Sequence, residues 1–196
     1  MKRDSALIII DVQNDFCPGG SLAVPEGDTI VPVINRCIDS FSGGHLPIIA
    51  SRDWHPAKTS HFREFGGIWP PHCVQVTPGA RFHPDLHLTD QTVIVSKGMD
   101  PDRNDYSAFR AMDPRGMELG QILRERGVSR LYVSGLATDY CVKETVLDAL
   151  HLGLEVTVIK DAVRGVDLQS GDSNRAIEEM VAAGARVATS EEVLGG

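Results

Sequence analysis

The chain has 196 residues, a size that suits one domain or two small ones. A hydrophobic fraction of 42% and a charged fraction of 23% exclude a disordered chain, a collagen-like repeat and a coiled coil. With 27 acidic residues against 19 basic ones the net charge is -8, which repels phosphate backbones, so neither nucleic acid nor an anionic membrane is expected as a partner.

The elements follow in chain order. Lys2 and Arg3 precede an apolar run, Ala6–Ile10, that Asp11 cuts off too early for a signal-peptide core or a membrane span; the run reads as a first strand. Ile30, Val31, Ile34, Ile38 and Phe41 recur at helical spacing, and Pro47–Ser51 reads as a second strand. Asp53 to Gln91 carries little periodicity, many prolines and the histidines His55, His61, His72, His83 and His87. A structureless stretch of that length inside a compact domain is commonly functional. Thr92–Ser96 reads as a third strand, followed by a helical stripe at Leu119, Ile122 and Leu123. Arg130–Ser134 and Leu154–Ile159 read as strands flanking a helix with Val142, Val146, Ala149 and Leu150 on its buried face. A last helix with Ala176, Ile177, Met180 and Val181 precedes a short strand at Arg186–Thr189. Gly43, Gly127, Gly153 and Gly184 stand where helix ends favour a left-handed residue.

Near-continuous Ile/Val/Leu strands alternating with helices predict a doubly wound α/β fold, mostly parallel, with helices on both faces of the sheet. With no repeat or linker, residues 1–196 are read as a single domain. Four cysteines (Cys17, Cys37, Cys73, Cys141) without a C-x-x-C pair are expected as free thiols in a reducing, cytoplasmic compartment.

Ligands of such sheets bind beyond the carboxyl ends of the strands. Three groups are delivered there. Asp11 follows four apolar residues, so burial raises its pKa and suits it to proton transfer; the alternative is a carboxylate that caps the next loop. Lys97 ends the third strand, either as a counter-charge to Asp11 or as a snorkelling side chain. Cys141 lies where Gly135–Tyr140 passes into a helix, whose free N–H groups favour a thiolate; the alternative is a packed, inert cysteine. A second constellation is Asp53-x-His55 with His61 and His72. A carboxylate and imidazoles in this pattern suit one divalent ion, with Zn²⁺ ahead of Fe²⁺ or Mn²⁺. His45, His83, His87 and His151 are read as structural.

These residues stand in recognisable motifs. They are Ile9-Ile10-Asp11-Val12-Gln13-Asn14-Asp15-Phe16, Ser51-Arg52-Asp53-Trp54-His55-Pro56, Trp69-Pro70-Pro71-His72-Cys73-Val74, Lys97-Gly98, and Gly135-Leu136-Ala137-Thr138-Asp139-Tyr140-Cys141. In these, from residue 6 to about residue 190, the chain resembles the nicotinamidase/pyrazinamidase family of the isochorismatase-like cysteine hydrolases. The resemblance implies that fold with about six strands, a catalytic triad of Asp11, Lys97 and Cys141, and a metal site of Asp53, His55, His61 and His72. It implies a cis peptide between Leu136 and Ala137, with the N–H groups of Ala137 and Cys141 receiving an oxyanion. It implies a ring slot lined by Phe16, Leu22, Trp69, Tyr106, Ala137 and Tyr140. The implied reaction converts nicotinamide to nicotinic acid and ammonia through a thioester, with pyrazinamide as a second substrate and NAD salvage as the setting. The alternative is a related amidohydrolase acting on another small amide. A homo-oligomer is compatible with the sequence. Two features depart from the family pattern: Tyr140 where several relatives carry histidine, and the acidic segment Met99–Asp105, which does not align.

Overall fold

The computed structural model describes residues 2–195. Its sheet has six strands: β1 (Ser5–Ile10), β2 (Ile48–Asp53), β3 (Val93–Lys97), β4 (Arg130–Leu136), β5 (Glu155–Arg164) and β6 (Arg186–Ala188). They lie in the order β3-β2-β1-β4-β5-β6, and every pairing is parallel. Five helices accompany them: α1 (Val31–Gly43), α2 (Leu119–Glu125), α3 (Lys143–His151), α4 (Asp172–Ala182) and α5 (Ser190–Leu194). Among the described residues no helix is long and apolar enough to cross a membrane.

Strand alternation sorts β1 onto two cores. Ala6, Ile8 and Ile10 pack with Ile122 of α2, Val146 of α3 and Met180 of α4, whereas Leu7 and Ile9 pack with Ile34 and Phe41 of α1 and Val193 of α5. Burial on both faces is what the uninterrupted apolar run of β1 required. The strand order reverses between β1 and β4, so the crevice of the sheet opens at their carboxyl ends. Gly135 makes the close approach there possible. A Cβ on it would stand 2.1 Å from the carbonyl oxygen of Ile10, and its φ of +115° suits glycine alone.

Four expectations are corrected. The fifth strand does not stop at Ile159 but runs to Arg164. The register with β4 slips between Val133 and Gly135, which lets Lys160 and Asp161 turn outward before Ala162 and Val163 return to the core. Helix α1 contains Gly43, and the left-handed residue after it is His45 (φ 53°). Val181 faces solvent at 48% exposure, so the buried stripe of α4 is Ala176 and Met180. Thr189 is not in the last strand. It caps α5, accepting from Glu192 N–H while the Glu192 carboxylate accepts from Thr189 N–H, a capping box that the spacing Thr-x-x-Glu encodes.

The irregular segment from Asp53 to Gln91 contains one short 3-10 turn, Arg63–Phe65. It is nonetheless pinned. The buried Gln13 side chain donates to the carbonyls of Asp53 (2.8 Å) and Ala80 (2.9 Å) and accepts from Asp53 N–H (2.8 Å). Asn14 donates to Pro78 O at 2.8 Å, and Asp15 accepts from Cys73 N–H at 2.7 Å.

Candidate active site

Three strand ends meet in the crevice. Asp11 leaves β1 with a left-handed φ of 48°, and its side chain is wholly buried. Its Oδ1 accepts from Ser51 Oγ at 2.7 Å, and its Oδ2 lies 2.9 Å from Lys97 Nζ. That contact is a buried ion pair. Lys97 ends β3, also fully buried, and its ammonium donates to Asp53 Oδ1 at the end of β2. The same ammonium reaches Cys141 Sγ at 3.4 Å. One ligand atom each of Asp11, Asp53 and Cys141 fall within 4.8 Å of one another. Lys97 therefore joins the two constellations that the sequence presented as separate.

Burial drives the proton affinities here. It pushes the Asp11 carboxyl up, with the Lys97 charge opposing. Burial also works against Asp53, but Lys97, His55 and His72 together hold its carboxyl well below the usual carboxylate range. For Lys97 burial lowers the value, yet the charges of Asp11 and Asp53 prevail and keep the ammonium protonated. The Cys141 thiol is pushed well above its ordinary value by burial, against the pull of Lys97.

Cys141 sits in a wide π-type turn, Thr138–Val142, that leads into α3. Such turns are frequent at functional sites. The peptide between Leu136 and Ala137 is cis, and the Ala137 carbonyl accepts from the N–H groups of Tyr140 and Val142, each at 3.1 Å. Thr145 Oγ1 donates to Cys141 O (2.6 Å) and accepts from Ala108 N–H (2.9 Å), which anchors the turn from below.

His55, His61 and His72 are buried, and one ring nitrogen of each falls within 4.8 Å of the others. Each Nδ1 faces an oxygen: Gly98 O at 3.0 Å, Asn104 Oδ1 at 2.7 Å and Pro70 O at 2.8 Å, respectively. An oxygen accepts, so Nδ1 carries the hydrogen and Nε2 keeps its lone pair. Asp53 Oδ2 lies 3.5 Å from His55 Nε2 and 3.8 Å from His72 Nε2. Burial lowers the His61 pKa to about 4, which keeps its ring neutral. His55 Nε2 is buried with no partner. Three converging imidazoles, an ionised carboxylate and the partnerless Nε2 of His55 fit a divalent cation. Gly98 adds to the fit: a Cβ there would come 2.5 Å from the His55 ring.

Beside both groups lies a slot lined by Phe16, Leu22, Trp69, Tyr106, Tyr140 and Val166, with Cys141, Asp53, His61 and His72 at its floor. Trp69 Nε1 donates to Tyr106 OH at 3.0 Å, and Tyr140 meets Trp69 edge-on at 5.1 Å between centroids. Tyr140 thus belongs to the slot wall, and the poorly aligned segment still delivers Tyr106 to it. Sequence reasoning missed Ser51, Gln13, Asn104 and Val166. The first two had a signal, as polar residues at the ends of buried strands; the others had none.

The isochorismatase domain family matches residues 5–192. The nicotinamidase of Escherichia coli (strain K12) is 46% identical over 200 residues, covering 94% of this chain and 94% of the relative. The pyrazinamidase of Pyrococcus horikoshii, solved in complex with zinc, superposes with a TM-score of 0.88 at 47% identity, covering 95% and 99% of the two chains. PnC1 from L. infantum, solved in complex with nicotinate, has a TM-score of 0.86 at 34% identity over 96% and 94%. With that breadth of match and a six-stranded parallel sheet of the same kind, the chain belongs to the isochorismatase family, among its nicotinamidases and pyrazinamidases.

Proposed function

We propose that this enzyme, acting as a single domain, hydrolyses nicotinamide to nicotinic acid and ammonia, accepts pyrazinamide, and serves NAD salvage in the cytoplasm. The observation that carries the reading is the chain of contacts from Asp11 through Lys97 to Cys141, whose thiol lines an aromatic slot. Four free cysteines fit a reducing compartment.

In this mechanism Asp11, ion-paired to Lys97, takes the thiol proton, and its raised pKa makes it a competent base. The sulfur attacks the carboxamide carbon, and the N–H groups of Ala137 and Cys141 receive the oxyanion. Lys97 keeps Asp11 in place and offsets the negative charge that passes to sulfur. Asp11 then returns the proton to nitrogen as the C–N bond breaks and ammonia leaves. Water, deprotonated by Asp11, cleaves the thioester and regenerates the thiol. Asp53, His55, His61 and His72 would hold a divalent ion, zinc foremost. When bound it supplies a Lewis-acidic anchor for the ring nitrogen. Phe16 and Trp69 orient the ring by packing on its faces.

Ammonia release from a panel of nicotinamide, pyrazinamide and carbamoyl amides tests the reading. Nicotinamide is expected to lead the panel, Cys141→Ala to lose at least about a thousandfold in kcat/KM with the fold intact, and chelation to raise KM until a divalent metal is restored. Full turnover by Cys141→Ala would defeat it.

A further inference from the structure

The acidic segment after β3 acquires a use in the structure. It starts at Lys97 and returns to the slot at Tyr106, and it is sewn to the loop that carries His61. Ser60 N–H donates to Pro101 O at 2.7 Å, Thr59 Oγ1 donates to the same oxygen at 3.1 Å, and His61 N–H donates to Thr59 Oγ1 at 3.3 Å. At its far end Asn104 places Oδ1 2.7 Å from His61 Nδ1.

The three imidazoles differ in how their rings are held. His55 and His72 use the main-chain carbonyls of Gly98 and Pro70, which the chain supplies whatever the side chain. His61 alone depends on a side chain. His61 is 4% exposed, whereas Asn104 lies on the surface. An amide oxygen accepting from Nδ1–H fixes the tautomer with the Nε2 lone pair turned toward His55 and His72.

We infer that Asn104 is a positioning residue: it holds His61 as the Nδ1–H tautomer and thereby sets the affinity of the three-histidine site for a divalent cation. The inference rests on the metal reading of that site, and the test separates the two. Apoprotein is titrated with Zn²⁺ against a chromophoric chelator for wild type, His61→Ala, Asn104→Ala and Asn104→Asp. Partners of this kind are typically worth about 10–100-fold in metal affinity. Asn104→Ala is expected to lose that much, and Asn104→Asp, which keeps an acceptor, to stay within a few-fold of wild type. A loss in His61→Ala with Asn104→Ala within about twofold of wild type overturns the role of Asn104 alone, since water then replaces the amide. Unchanged affinity in His61→Ala overturns the metal reading and this inference with it. A metal-free measurement on the wild-type apoprotein guards against misfolded variants. Long-range ¹H–¹⁵N spectra are expected to show His61 protonated at Nδ1, and protonation at Nε2 overturns the proposal.

Discussion

The two ends of the sheet carry the same kinds of charge and use them differently. At the amino end, Arg130 pairs with Asp4 and with Glu155, in side chains that are 20%, 37% and 66% exposed. At the carboxyl end, Lys97 pairs with Asp11 and Asp53, in side chains that are 0%, 0% and 5% exposed. Water screens the first cluster, so its members cost little to hold and little to lose. The second has no water to fall back on, and each charge there is tolerable only because the others are present. Exposed pairing decorates a fold, whereas buried pairing sets proton affinities and so makes chemistry available.

Removing the cation from each cluster should magnify that contrast. Lys97→Met leaves two carboxylates facing one another in the interior. Ammonia release should vanish, and chemical denaturation should show a loss of about 3–5 kcal/mol. Arg130→Met, measured the same way, should leave both turnover and Tm essentially unmoved. Equal losses in the two variants would erase the distinction.

The next largest effect belongs to the clamp that joins the sheet to the irregular segment. Gln13→Ala strands the N–H and C=O of Asp53 and the C=O of Ala80 in the interior. A destabilisation of about 2–3 kcal/mol is expected from such unsatisfied groups, together with weaker metal binding, because Asp53 loses its fixed position. A stable variant with unchanged metal affinity would show that the segment holds its own shape.

The smallest effect is a shift along the pH axis. Asp11 must be ionised to accept the thiol proton, so kcat/KM falls as pH drops through its pKa. Burial raises that pKa above 3.8, and the hydrogen bond from Ser51 opposes the rise. Ser51→Ala removes the opposition, and the acid limb of the profile should move to higher pH by about one unit. A limb that stays in place, or moves down, would remove Asp11 from the role of base.

Much of this was legible beforehand, for reasons that differ by residue. The strands appeared as apolar runs because burial on both faces leaves no room for alternation, and β1 matched its run within one residue. Strand β5 was underestimated because its bulge inserts Lys160 and Asp161 into an apolar pattern, and only pairing with β4 shows that the strand resumes. Asp11, Lys97 and Cys141 were visible as reactive types at strand ends. Asn104 was not, since an asparagine in an acidic loop carries no periodicity and no strand end to mark it.

Residue order by itself determined which side chains could be buried, where the strands would lie and which acid, base, thiol and imidazoles would arrive at the carboxyl edge, because those follow from local patterns of two and three-to-four residues. Only the folded chain decided how they share charge. That Lys97 serves Asp11 and Asp53 together, that its ammonium reaches Cys141, and that His61 leans on Asn104 are consequences of burial and of contacts between residues 43 or more positions apart in sequence. No local pattern records a distance of that kind.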